Sequence, residues 1–262
     1  MLIDMEESVV EYSQKSSIGE LFDPALAVTA QSGSGNNWAV GYHEYGHMYR
    51  ERIVDVLRMT AEKCDCMSSW FILHSMGGGT GSGLGTHVLN MLADEFSDVE
   101  RLVTPVYPSE SDDVITSPYN SILAMKELTD HADTVMPVDN ASLAAIINKV
   151  RSASNTRSKI TQNDQINDKS ISDKKNTWND MNALVAQSIL NITSSSRFPG
   201  ALNVDLNEIT MNMVPFPKMH YLTTCLAPLY LSKNLHLPPR RLDEMFRYSV
   251  LLHFCYSTGC LS

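Results

Sequence analysis

Five glycines within seven positions, Gly77-Gly78-Gly79-Thr80-Gly81-Ser82-Gly83, constrain this chain more than any other feature. The run follows an apolar, strand-like segment, Trp70-Phe71-Ile72-Leu73. It opens a segment in which Leu84, Val88, Leu92 and Phe96 recur at helical spacing. Backbone without Cβ atoms lets a bulky group approach main-chain N–H groups directly. At a helix N-terminus those N–H groups lack intrahelical partners and lie at the positive end of the helix dipole. A glycine loop between a buried strand and an amphipathic helix is therefore expected to cradle phosphate. No Gly-Lys-Ser/Thr follows, which sets the Walker loop aside. The spacings Gly77-x-Gly79-x-x-x-Gly83 and Gly79-x-Gly81-x-Gly83 come close to the dinucleotide fingerprint without matching it. A flexible connector is the bland alternative, but such linkers seldom sit tightly between a strand and a helix.

The surroundings of the loop alternate between strand and helix character, which points to an α/β architecture with a doubly wound, mainly parallel sheet. Met1–Asp4 reads as the tail of a strand and residues 44–63 as a helix. Strands are expected at 70–75 and 102–107, with a helix between them running to about Phe96. Helices over Ser121–His131 and Ala141–Lys149 and a short strand near Thr134–Val138 continue the pattern. The glycine loop then lies at the carboxyl end of its strand, where open α/β sheets bind ligands. Residues 151–177 are rich in Arg, Ser, Asn, Lys, Gln and Asp and read as an exposed, disordered insertion. A core helix resumes at about 178–194, with Met181, Leu184, Val185, Ile189 and Ile192 on one face. The Pro-rich stretch from 197 onward reads as the start of a second, α+β domain.

A formal charge of −10 argues against nonspecific binding to nucleic acid or an anionic membrane surface. No apolar run approaches the ~20 residues that cross a bilayer. The five cysteines are scattered, and Cys64 and Cys66 are too close for an ordinary disulfide framework, so they read as buried or inert thiols of a reducing compartment. His43-Glu44-Tyr45-Gly46-His47 satisfies the zinc-protease pattern His-Glu-x-x-His. A helix-weakening glycine lies inside it, and Arg50 replaces the glycine of the extended motif, so zinc is the weaker reading.

A second signal is Gly200-x-x-Asn203-x-Asp205-x-x-Glu208. Asp205 and Glu208 suit a capping box as well as they suit hydrolysis, which needs an acid near a positioned water. Taken together, the motifs resemble those of the tubulin superfamily. Gly77–Gly83 resembles its main phosphate loop. Gln31-Ser32-Gly33-Ser34-Gly35-Asn36-Asn37 resembles the loop that approaches the terminal phosphates, and Leu2–Glu6 the loop whose acid lies near magnesium. Asp112–Ser121, Leu123–Leu128 and Pro238–Asp243 are most similar to the epsilon type.

The resemblance implies a GTP- or GDP-binding cytoskeletal protein with bound Mg2+. Ser75, Gly78, Gly79, Thr80, Gly81, Ser82 and Asn36 would meet the phosphates, and Glu6 the metal. Asn140, Trp178 and Asn182 would select the guanine. Ser117 stands where a ribose-contacting glutamate is usual, which leaves that role to Asp113. Glu208, with Asp205, would complete the site of an adjacent subunit, so that hydrolysis accompanies assembly. A tubulin-fold interaction protein without GTP turnover is the alternative. The implied partners are other tubulin subunits or centriolar and microtubule proteins, with neither nucleic acid nor membrane. The implied location is the cytoplasmic cytoskeleton, at centrioles, centrosomes or basal bodies. The family's first strand with its phosphate loop and most of its C-terminal portion find no counterpart here. Residues 248–262 match no family pattern, so the chain is expected to be a fragment.

Overall fold

The computed structural model describes residues 1–109, 112–158, 170–198, 200–201 and 203–226, with side chains left aside over 150–177. The first elements are β1 (Leu2–Asp4), α1 (Glu7–Gln14) and β2 (Ala27–Thr29). A π-helical turn at Val40–Tyr45 leads through α2 (Gly46–Met48) into α3 (Arg50–Glu62). Next come β3 (Ser69–Ser75), a second π-helical turn at Thr80–Leu84, α4 (Gly85–Glu95) and β4 (Glu100–Tyr107). Then follow α5 (Ser117–His131), β5 (Thr134–Val135), β6 (Val138–Asp139) and α6 (Asn140–Ser158). The last described elements are α7 (Ser170–Ile192), α8 (Ser194–Arg197) and α9 (Leu206–Met213).

These elements group into two compact units. Of the described residues, those of Met1–Pro137 with Leu206–Leu222 form the first, and those of Val138–Asp205 with 223–226 form the second. In the first unit β1 pairs with β2, and β3, β4 and β5 pair in that order, all parallel. Helices pack about these strands, the doubly wound α/β arrangement expected from the sequence. Leu102–Pro105 of β4 are consecutively buried, as befits a parallel strand covered on both faces. Ile53, Val54, Val56 and Leu57 of α3 join Leu84, Val88, Met91 and Leu92 in one core cluster. Met76, Leu89, Val103, Ala124, Leu128 and Val135 form a second, under α5. Beyond β5 the segment at His220–Leu222 adds an extended rung: Val135 N donates to His220 O and Leu222 N to Val135 O, both at 2.8 Å. The Pro-rich sequence around it hid this pairing.

Elements in several places exceed their expected bounds. α5 begins at Ser117 rather than Ser121, because Pro118 in its first turn suits a helix start. In the second unit, α6 and α7 pack through Leu143, Ile146, Ile147, Met181 and Leu184. α6 runs on to Ser158 and α7 begins at Ser170, so helix enters both ends of the polar stretch 151–177 that was expected to break the pattern. Once a turn is nucleated by packing, each further residue adds a hydrogen bond without needing an apolar face. Residues 159–169 and the tail 248–262 lie outside the described residues. Cys64 and Cys66 are exposed on the loop between α3 and β3, so of the two expectations, buried or inert, burial is overturned.

Candidate functional site

The end of β3 fixes the start of the glycine loop. Met76 is fully buried, and its N–H donates to Val106 O at 2.9 Å, continuing the strand pairing by one residue. From there the backbone turns into the π-helical turn and α4. Beside the loop lies a cavity of about 780 Å3, within the size range of small-ligand sites. It is lined by β1 with Glu6, the Gly33–Asn36 loop, β3 from Trp70 to Ser75 and Gly78–Gly81, together with Thr60 of α3 and Leu84, Gly85 and Val88 at the start of α4.

The glycines of the loop divide by what a Cβ would meet. At Gly79 it would fall 2.4 Å from Asn37 N and from Ser34 Oγ. At Gly81 it would fall 2.7 Å from Ser75 O, and at Gly83 2.3 Å from Trp38 O. These glycines allow the protein's own backbone segments to touch. At Gly78 the nearest atom is Asn36 Oδ1, 3.8 Å away, and Gly78 lines the cavity. Its open side therefore faces the space a ligand would take. The adjoining loop carries two consecutive left-handed residues, Gly35 at φ 59° and Asn36 at φ 56°. Ser34 and Thr80 join the two loops hydroxyl to hydroxyl at 3.2 Å.

Of the sequence-predicted site residues, Glu6, Asn36, Ser75, Gly78, Gly79, Thr80 and Gly81 are brought together in the cavity wall. Ser82 is fully buried and donates its hydroxyl to Gly78 O, which shapes the loop from behind. Asp113 is exposed and stands outside the wall. Ser117 is buried and directs its hydroxyl to Gly77 O at 3.3 Å. Asn140, Trp178 and Asn182 belong to the second unit, where Asn140 opens α6 and Trp178 is exposed on α7 with Asn182. Asp205 and Glu208 are exposed at the start of α9 and are not part of the wall.

Sequence reasoning missed Asp4 and Ser34, which line the cavity, and Asn120, which braces two of its loops. Asp4 Oδ1 accepts the Glu6 N–H at 3.1 Å, so two acids, Asp4 and Glu6, share one edge of the wall. Among the described residues the wall contains no lysine or arginine. Desolvation holds the His74 imidazole there below its usual range, leaving it neutral at pH 7. Donors for an anion are thus backbone N–H groups and hydroxyls, while the carboxylates suit a hard cation that keeps most of its ligands as water and phosphate.

The His43–His47 stretch is built differently. His43 packs edge-on to Trp38 and Tyr42, and His47 packs edge-on to His87. A Cβ on Gly46 would fall 2.6 Å from the His87 ring. Among the described residues no three His, Cys, Asp or Glu side chains are grouped for a metal. His87 is buried with both ring nitrogens unpartnered, and burial, helped by the His47, Arg50 and His43 charges, pushes it down to about 4.

Comparison with known proteins bears on the identity of this cavity. Residues 1–148 match the Tubulin/FtsZ family, GTPase domain. The chain is 54% identical to the tubulin epsilon chain of Mus musculus and 51% identical to that of Homo sapiens, each over 255 residues. Both alignments cover 94% of this chain and 53% of the relative. It is 35% identical over 230 residues to the tubulin beta-6 chain of Gallus gallus, covering 87% of this chain and 47% of that one. The chain spans about half the length of the curated relatives it matches.

Proposed function

From the premise that this chain belongs to the tubulin/FtsZ family, we propose that its cavity holds a guanine nucleotide, GTP or GDP. The single observation that carries the proposal is the open side of Gly78 in the wall of a cavity at the carboxyl end of β3. Phosphate oxygens would accept from the backbone of Gly78–Gly81 and from the Ser75 and Thr80 hydroxyls. Glu6 and Asp4 fit a Mg2+ ion, which would neutralise phosphate charge where the wall supplies no basic side chain. Asp113 would approach the ribose, and Asn140, Trp178 and Asn182 the base. Ser82 would act through the loop it shapes.

Glu208 and Asp205 are exposed and absent from the cavity wall, which favours a role at an adjacent subunit's nucleotide over this chain's own. Hydrolysis would then require stacked subunits, with other tubulins or centriolar and microtubule proteins as partners. The likeness to tubulin epsilon chains supports a place in the cytoskeleton, at centrioles, centrosomes or basal bodies. No described helix is long and apolar enough to cross a membrane. The stretch from residue 197 would begin the second domain of the family's longer chains.

The same placement of Glu208 favours a second reading for the isolated chain, in which it binds nucleotide and partners without turning GTP over. Titration with a fluorescent GTP analogue, competed by GTP and ATP, tests the first reading. Saturable binding displaced by GTP and not by ATP is expected, and no binding at millimolar nucleotide overturns it. GTP hydrolysis that rises when tubulin subunits are added separates the two readings.

A further inference from the structure

Asn120 lies in the first turns of α5 and is buried, at 3% exposure. Its amide is fully engaged by backbone from two separate loops. Oδ1 accepts from Trp38 N at 3.0 Å, and Nδ2 donates to Asn36 O and to Gly77 O, each at 2.9 Å. Its neighbours on α5 take further carbonyls of the same loops. Thr116 Oγ1 donates to Asn36 O at 2.8 Å, Ser117 Oγ to Gly77 O at 3.3 Å and Ser121 Oγ to Met76 O at 3.2 Å. One polar end of one helix therefore draws the carbonyls of the glycine loop and of the Gly33–Asn37 loop to itself.

That arrangement has a directional consequence. In a trans peptide the C=O and the following N–H point opposite ways. With the Met76 and Gly77 carbonyls drawn toward α5, the N–H groups of Gly77 and Gly78 turn away from it. Gly78 is the loop glycine whose Cβ position is open, and it lines the cavity. Asn36 meanwhile sits at φ 56°, in the left-handed region that Asn adopts more readily than other residues with a Cβ, and its carbonyl accepts two hydrogen bonds from this end of α5.

We propose that Asn120 is a positioning residue of the nucleotide site, clamping the glycine loop to the Gly33–Asn37 loop and aiming the Gly78 N–H at a ligand phosphate. The phosphate part rests on the guanine-nucleotide reading. The clamp itself does not.

Asn120→Asp keeps the acceptor for Trp38 N–H, removes both donors and sets a carboxylate against two carbonyls. Amide hydrogen exchange on the full chain without nucleotide reads the clamp. The amides of Asn37 and Ser82, which donate to Ser34 O and Gly78 O, are expected to exchange at least about tenfold faster together, while amides of Ile53–Leu57 in α3 keep their protection. Unchanged exchange at either loop overturns the proposal. Thr116→Val removes only the second bond to Asn36 O, at an exposed position, and keeps the test decisive if the first variant does not fold. It is expected to speed exchange at Asn37 alone, and wild-type exchange there, or loosening at Ser82 to the same degree, counts against the clamp.

GTP titration supplies the functional arm. A wild type that binds and an Asn120→Asp chain that binds at least about tenfold more weakly is expected. Equal affinity overturns the positioning role. A wild type that does not bind overturns the nucleotide reading, and the exchange result then judges the clamp by itself.

Discussion

The glycine loop Gly77–Gly83 and the turn Val40–Gly46 meet backbone to backbone, and each depends on glycine to do so. A Cβ on Gly41 would fall 2.3 Å from Gly79 O, and one on Gly83 would fall 2.3 Å from Trp38 O. Their polar groups are used in opposite ways. The loop leaves Gly78 open toward a cavity and surrounds it with hydroxyls. The turn lays His43 against the rings of Trp38 and Tyr42, and His47, just after it in α2, lies against His87. Glycine thus serves packing in both regions and opens onto a cavity in only one. A motif carries chemistry where its polar atoms face space, and the spacing of residue types alone does not say whether they do.

The largest effect expected from this contrast is at Gly83. Gly83→Ala forces a methyl group into the Trp38 carbonyl, a backbone atom that cannot swing aside. A loss of about 3 kcal/mol is expected from such overpacking, read as a lower denaturation midpoint with unchanged slope. A neutral result would show that the two regions do not depend on their close approach.

His87 tests the other side of the comparison through pH. Its folded pKa lies near 4, below the unfolded value of 6.5, so the unfolded chain binds the extra proton between those values. The stability it permits is full above pH 6.5 and falls as pH drops toward 4. His47, Arg50, His43 and Asp94 are the charged or titratable groups acting on it. His87→Phe is expected to remove about 2 kcal/mol of that acid sensitivity, measured by denaturation at pH 7 and pH 5. Parallel pH profiles for the two proteins would mean that His87 is not the buried neutral group described.

The smallest effect on the fold is expected at Gly78. Gly78→Ala should change stability by less than about 0.5 kcal/mol. It should still weaken GTP about tenfold, or 1.4 kcal/mol, by filling the side from which phosphate approaches. If Gly78→Ala destabilises as much as Gly83→Ala, the division of the loop into packing and ligand-facing glycines fails.

Much of the first unit was legible in advance. β3, the glycine loop, α4 and β4 were expected within a few residues of where they lie, because burial on both faces of a parallel sheet leaves long apolar runs. Glu6, Asn36, Ser75 and Gly78–Gly81 were also named together, from motifs whose spacing is local, and the structure places them in one cavity wall. Asn120 was not named. Its sequence neighbourhood, Ser117-Pro118-Tyr119-Asn120, reads as an ordinary helix start, and its three partners are far from it in the chain. Of the two readings offered for Cys64 and Cys66, buried or inert, burial fails for the converse reason: cysteine is buried on average, while their position on the loop between α3 and β3 exposes them.

From the sequence by itself came the α/β class, the place of the glycine loop and the family, because periodicity and glycine spacing act over a few residues. Tertiary structure alone decided which glycines serve packing and which opens onto the cavity. It decided that His87 is enclosed without a hydrogen-bond partner and that α5 sets the direction of the loop peptides. Each of these depends on atoms brought within about 3 Å from distant parts of the chain, where hydrogen bonds and steric overlap act and sequence separation has no bearing.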